Sequence, residues 1–170
     1  MAASGGVPVR RGADKAEFIP DLLSEVGQML RFEFRNASLE GPWSGKFRDL
    51  ELGMVAEFRL CVAEQVIYSE DGFTVFELRL AFDHWLRESD DAVVGFEFNS
   101  VESDEPGLVW FRPQPGGGYR VGSIHQDDVS FEVFSLAEIQ QAVQEFIGSV
   151  DDWVFQNLGM VVAEHLDLPR

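Results

Sequence analysis

Three stretches of the chain alternate apolar and polar side chains with period two, and this alternation constrains the fold more than any other feature. From Leu30 to Asn36, Leu30, Phe32 and Phe34 point one way while Arg31, Glu33 and Arg35 point the other. From Leu52 to Ala63, Leu52, Met54, Ala56, Phe58, Leu60 and Val62 share one side, and Glu57, Arg59 and Cys61 take the opposite one. From Val93 to Asn99, the inward residues are Val94, Phe96 and Phe98. Successive side chains of a strand project to opposite faces, so each run predicts a half-buried strand. Such strands build a sheet with one packed face and one wet face.

The remaining segments fill in the order. Residues 21–30 read equally as a short helix or a loop, since Pro20 opens a helix and Gly27 weakens one. Ala37–Lys46, with Gly41, Pro42, Ser44 and Gly45, reads as a loop pinned by Trp43. Val66–Tyr68 is a short partner strand reached through a tight turn near Ala63–Gln65. Phe73–Leu86 changes to a helical period, with Phe76, Leu80 and the Ala81/Trp85 pair on one face, and Glu88–Asp91 ends it in an acidic loop. After an acidic turn at Ser103–Gly107, Leu108–Arg112 and Tyr119–Ile124 form a hairpin around Pro113–Gly118. Ser135 and Glu138 make a capping box, which starts a helix striped by Ile139, Val143, Phe146, Ile147, Val150, Trp153 and Val154 and closed by Gly159. The order is β-β-β-α-β-β-β-α. It predicts an α+β fold: a largely antiparallel sheet of about six strands with two helices on one face. The opposite face carries Arg31, Glu33, Arg35, Glu57, Arg59 and Glu97. One domain over residues 16–160 follows, with 1–15 a disordered lead-in and 161–170 a C-terminal tail.

Charge separates the classes of partner. The net charge is −17, and residues 51–170 carry all of it, with six basic and 23 acidic side chains. Such a surface repels nucleic acid and anionic membranes and attracts a protein with a basic surface. The same acidity also serves solubility. The one cysteine, Cys61, forms no internal bridge, and residues 1–15 have no apolar core of an export signal. Both point to a reducing, cytoplasmic setting.

No reactive constellation stands out. The chain has no P-loop, no dinucleotide fingerprint, and no zinc or calcium motif. Gly116–Gly118 lies in a hairpin and not at a helix start. His84 follows Asp83 directly on a helix, and adjacent helical positions face different ways. His165 lies in the tail. His125 shares a strand side with Ser123, but no second histidine or spaced carboxylate completes a ligand set. A nucleophilic thiol needs an activating base and an electropositive environment, whereas an acidic surface raises the pKa of Cys61. Glu102, Asp104 and Glu105 crowd one turn, without the separation that a glycosidase pair requires. The expectation is a non-catalytic protein with no metal and no cofactor.

Several stretches carry a resemblance: Phe32–Asn36, Val66–Glu70, Phe76–Leu86, Phe96–Glu102, Glu105–Trp110 and Gly118–Ser123. In that order, over about residues 30–158, they resemble a group of small single-domain actinobacterial proteins. That group is in turn similar to several immunity-protein families of polymorphic toxin systems. The resemblance implies an inhibitor that blocks a basic partner such as a toxin. The predicted partner-binding patch is Glu97, Glu102, Asp104, Glu105, Asp127 and Asp128, with Trp110 as an anchor, provided their loops converge at one end of the sheet. Two rivals remain open at this point. One is a homo-oligomeric scaffold using the exposed sheet face. The other is a small hydrolase or isomerase centred on His125 or the Glu102–Glu105 turn.

Overall fold

The computed structural model describes residues 29–89, 93–101, 103, 105–126 and 132–166. The expectations for residues 1–15 and 21–28, and the patch members Glu102, Asp104, Asp127 and Asp128, lie outside the described residues. The elements are β1 (Leu30–Leu39), α1 (Phe47–Gly53), β2 (Met54–Val62), β3 (Gln65–Thr74), α2 (Val75–Ser89), β4 (Phe96–Phe98), β5 (Val109–Pro113), β6 (Tyr119–Gly122), α3 (Leu136–Leu158) and α4 (Ala163–Leu166).

The fold is α+β; among the described residues every strand pair is antiparallel, and six strands form two sheets of three, ordered β1-β2-β3 and β4-β5-β6. The single sheet of the sequence reading is thus divided. The 15-residue α2 intervenes between β3 and β4, and among the described residues no backbone pairing bridges the two groups of strands. Aromatic side chains join the sheets instead: Phe32 meets Phe111 at 5.8 Å between ring centroids, and Phe73 meets Phe98 at 5.6 Å. The predicted inward residues Met54, Ala56, Phe58, Leu60 and Val62 all belong to the core, as do Phe76, Phe82 and Trp85 of α2 and Phe146 of α3. On the other face of the first sheet, Glu33 stands opposite Arg59 and Arg35 opposite Glu57.

Several boundaries differ from the sequence reading, for local reasons. β1 runs through the predicted loop start to Leu39, because a register shift between Arg35 and Ser38 restores pairing after Asn36 takes a φ of 53°. Phe47–Gly53 is a helix, so the strand predicted from Leu52 begins only at Met54. The Asp49 carboxylate accepts both the Ser44 N–H (2.8 Å) and the Ser44 hydroxyl (2.6 Å), which curls the chain there. Leu50 is therefore buried and Leu52 exposed. β3 continues to Thr74, far past Tyr68, with two register shifts against β2, so Phe73, where the periodicity predicts a helix start, lies within a strand. The buried stripe of α2 is Phe76, Leu78, Arg79, Phe82 and Trp85, with Leu80 and Ala81 only half-buried. Of the C-terminal segment, which reads as a tail or a last turn, the residues up to Leu166 end in the short helix α4: Val162 is buried, and His165 stacks on Phe47.

The α3 start matches its sequence signal. Glu138 N–H donates to Ser135 Oγ (3.3 Å), Ser135 N–H donates to Glu138 Oε2 (2.7 Å), and Gly159 closes the helix with a left-handed φ of 68°. Ser135→Ala should lower the unfolding free energy by about 1 kcal/mol, read as a lower urea midpoint at constant m-value. The hydrogen bonds from Ser135 hold the Glu138 carboxyl below its ordinary range. A depressed acid stabilises the fold above its unfolded pKa, and that contribution is lost as pH falls through the folded value. The gap between wild type and Ser135→Ala should therefore narrow on acidification through the carboxylate range.

Candidate functional site

One end of the second sheet gathers the described members of the acidic patch. β4 and β6 both end beside the start of β5, as the register pairs Phe98–Val109 and Trp110–Gly122 require. The loops that follow β4 and β6 therefore lie side by side. Ile124 N–H donates to the Gly107 carbonyl (2.9 Å), and Gly107 N–H donates to Asn99 Oδ1 (2.8 Å). His125 Nε2 lies 2.9 Å from Glu105 Oε2, joining the two loops through side chains. The start of the β4–β5 loop is tethered to α2. Glu77 accepts from the Ser100 hydroxyl (2.9 Å) and the Val101 N–H (2.9 Å), and Thr74 Oγ1 also reaches it at 3.0 Å.

Glu97 and Trp110 are direct cross-strand neighbours. Trp110 does not protrude as an anchor: it is 7% exposed, with its ring against Gly122. A Cβ on Gly122 would stand 2.5 Å from the indole, so glycine there gives the ring its seat. Arg112 lies over the ring at 4.2 Å from its centroid, a cation–π contact. Trp110 thus forms a wall beside the patch, and the Glu97 face is mixed in charge, while Glu105 projects at its end.

Beside Glu105 and His125 runs the edge strand β3. His125 stacks on Tyr68 at 6.1 Å between ring centroids. The Tyr68 hydroxyl donates to Glu70, two residues along on the same strand side. Burial, the Glu70 hydrogen bond and nearby carboxylates push the Tyr68 phenol far up, so it stays a neutral donor. Val66–Glu70 and His125 line an open depression of about 460 Å³. Sequence reasoning missed Tyr68 and Glu70. Their pairing was legible from the alternation of a strand, but their approach to His125 was not, since it depends on how two sheets pack.

Four of the described arginines are engaged with carboxylates of the fold. Arg31 holds Glu33 (2.9 Å), Arg59 holds Glu57 (2.7 Å), Arg79 holds Asp151 (2.8 Å) and Arg87 holds Asp83 (2.7 Å). Cys61 is buried, and burial followed by the Glu33 charge raises its thiol, the reverse of what a nucleophile needs. Of the other histidines, His84 is exposed beside Glu88, and His165 packs on Phe47. Among the described residues no group of three or more His, Cys, Asp or Glu is placed to hold a metal ion, and no helix is long and apolar enough to cross a membrane.

A family model described as "Domain of unknown function (DUF7878)" matches residues 30–156, which is most of the chain. The match spans β1 to nearly the end of α3, and so contains both sheets and the loops just described. No curated protein matches the chain. No solved structure matches it either. The chain belongs to the DUF7878 family.

Proposed function

We propose that this member of the DUF7878 family is a non-catalytic, acidic protein-binding module that holds a basic protein partner, in the manner of an immunity protein covering a toxin. The observation that carries the reading is the unequal use of charge. Four arginines are engaged with carboxylates of their own fold, while Glu64, Glu70, Asp71, Glu97 and Glu105 lie along β3 and at the adjoining end of the second sheet. Glu102, Asp104, Asp127 and Asp128 belong to the same acidic patch by sequence. An oriented negative field of this kind steers a cationic partner and sharpens its selection. The open depression and the protonated, buried Cys61 thiol fit a surface that binds better than one that transforms a substrate. A reducing cytoplasm suits that single cysteine.

The test is kinetic. A partner is captured from the native cell and purified, and its association is followed by stopped flow against wild type and the double variant Glu97→Lys/Glu105→Lys. The association rate at low salt should fall on the order of tenfold in the variant, with the difference closing as salt screens the field. Equal association rates at low salt would remove this reading.

A further inference from the structure

We infer that the free edge of β3 is a strand-addition site for an extended, basic segment of the partner; this rests on the protein-binding reading and specifies how that binding is made. Among the described residues, β3 is the last strand of its sheet and pairs on one side only, with β2. In an antiparallel ladder alternate residues turn their N–H and C=O groups away from the paired neighbour. Among the described residues, no backbone hydrogen bond reaches Gln65–Glu70 from the other side. The open depression is lined by five consecutive residues of this strand, Val66–Glu70, together with His125. A depression that borders a strand over five residues leaves room for one more extended chain, whose main-chain bonds supply affinity while alternate side chains supply selection.

Natural sheet edges are blunted with charged side chains (lysine above all), proline, bulges or short strands, because an open edge invites pairing. This edge spans ten residues without lysine or proline and Val66 is 44% exposed, while the register shifts against β2 fall at Ile67 and near Asp71–Gly72. Its charges are carboxylates. Glu64 precedes the strand, Glu70 ends the open stretch and Asp71 follows it, and Glu105 pairs with His125. The same charges select the occupant. A second copy pairing antiparallel about Tyr68 would bring Glu70 and Asp71 toward Glu64 of its mate, between chains that each carry −17. A strand with lysine or arginine at alternate positions meets those carboxylates with opposite charge.

The experiment uses the full, isotope-labelled chain and the blocked hexapeptide Ac-Lys-Val-Arg-Val-Lys-Val-NH2 as probe. Two controls accompany it: the same peptide N-methylated at alternate residues, and an analogue with glutamate in place of every lysine and arginine. The basic peptide should shift the amide resonances of Val66–Glu70 and slow their hydrogen exchange. N-methylation keeps the charge and removes main-chain donors, and it should weaken binding at least tenfold; the acidic analogue should bind at least tenfold more weakly too. Equal binding of the N-methylated peptide, or shifts confined to other residues, would overturn strand addition and leave the charge-based reading standing. Equal binding of the acidic analogue would overturn the charge-based reading, and this inference with it. Binding by none of the three would overturn the inference, as would a homodimer whose Val66–Glu70 amides are already protected before peptide is added.

Discussion

Phe146→Ala should lower the unfolding free energy by about 3–5 kcal/mol, one of the two largest effects expected of any single change here. Phe146 is 1% exposed and sits where the helical layer meets the first sheet. Its ring makes edge contacts with Phe34 and Phe58 at 6.0 Å between centroids, with Phe82 at 5.6 Å and with Phe32 at 6.4 Å. Those four partners come from β1, β2 and α2, so one truncation opens a void that three elements border. Large rings on separate elements collapse poorly into such a void, which places the cost toward the upper part of the range. For a chain of this size the melting temperature should fall by roughly 6–20 °C. Phe146→Leu, which keeps most of the volume, should cost about 1–2 kcal/mol. Urea unfolding checks both, and a loss below about 1 kcal/mol for Phe146→Ala would mean that the sheet and helices do not meet through this ring.

How far such contacts can be read from sequence depends on how local their causes are. Phe58, Leu60 and Val62 are inward because a strand alternates, and alternation is visible residue by residue. Ser135, Glu138 and Gly159 mark the ends of α3 through bonds that span three or four residues. α1 was hidden because Leu52 and Met54 continue the alternation of the strand that follows, and the signal against it, two hydrogen bonds from Ser44 to Asp49, reaches from the predicted loop, which ends at Lys46, into residues to which the pattern assigns no element. The division into two sheets was hidden because strand patterns identify faces but not neighbours. At the candidate site, the meeting of Glu105 with His125 follows from the β5–β6 hairpin, which was legible, whereas the stacking of His125 on Tyr68 joins residues of different sheets. Trp110 was readable as a large aromatic residue near acids. That it is buried was not, since this depends on Gly122 opposite it on β6.

The second large effect lies at an ion pair that no sequence pattern announced, between residues 72 positions apart. Arg79 projects from the buried side of α2 and is 2% exposed, and its guanidinium donates two parallel bonds of 2.8 Å to Asp151 on α3. Its remaining nitrogen, Nη1, lies 4.0 Å from Asp83 without a hydrogen bond, and Asp83 also serves Arg87. The two partners differ in access to water: the arginine side chain is 3% exposed and the aspartate 31%. Removing the aspartate strands a buried cation, whereas removing the arginine leaves a carboxylate that water can reach. Asp151→Leu should therefore cost about 3 kcal/mol, at the low end for a broken buried pair because Asp83 remains nearby. Arg79→Met should cost less, about 1–2 kcal/mol, since the methionine fills the space and Asp151 turns to solvent. In the double variant Arg79→Met/Asp151→Leu the loss should largely disappear, because two apolar groups meet where two charges had to be desolvated. Urea midpoints of the four proteins close the double-mutant cycle. If the two single variants lose equal stability, or if their losses simply add in the double variant, the α2–α3 contact does not depend on this pair.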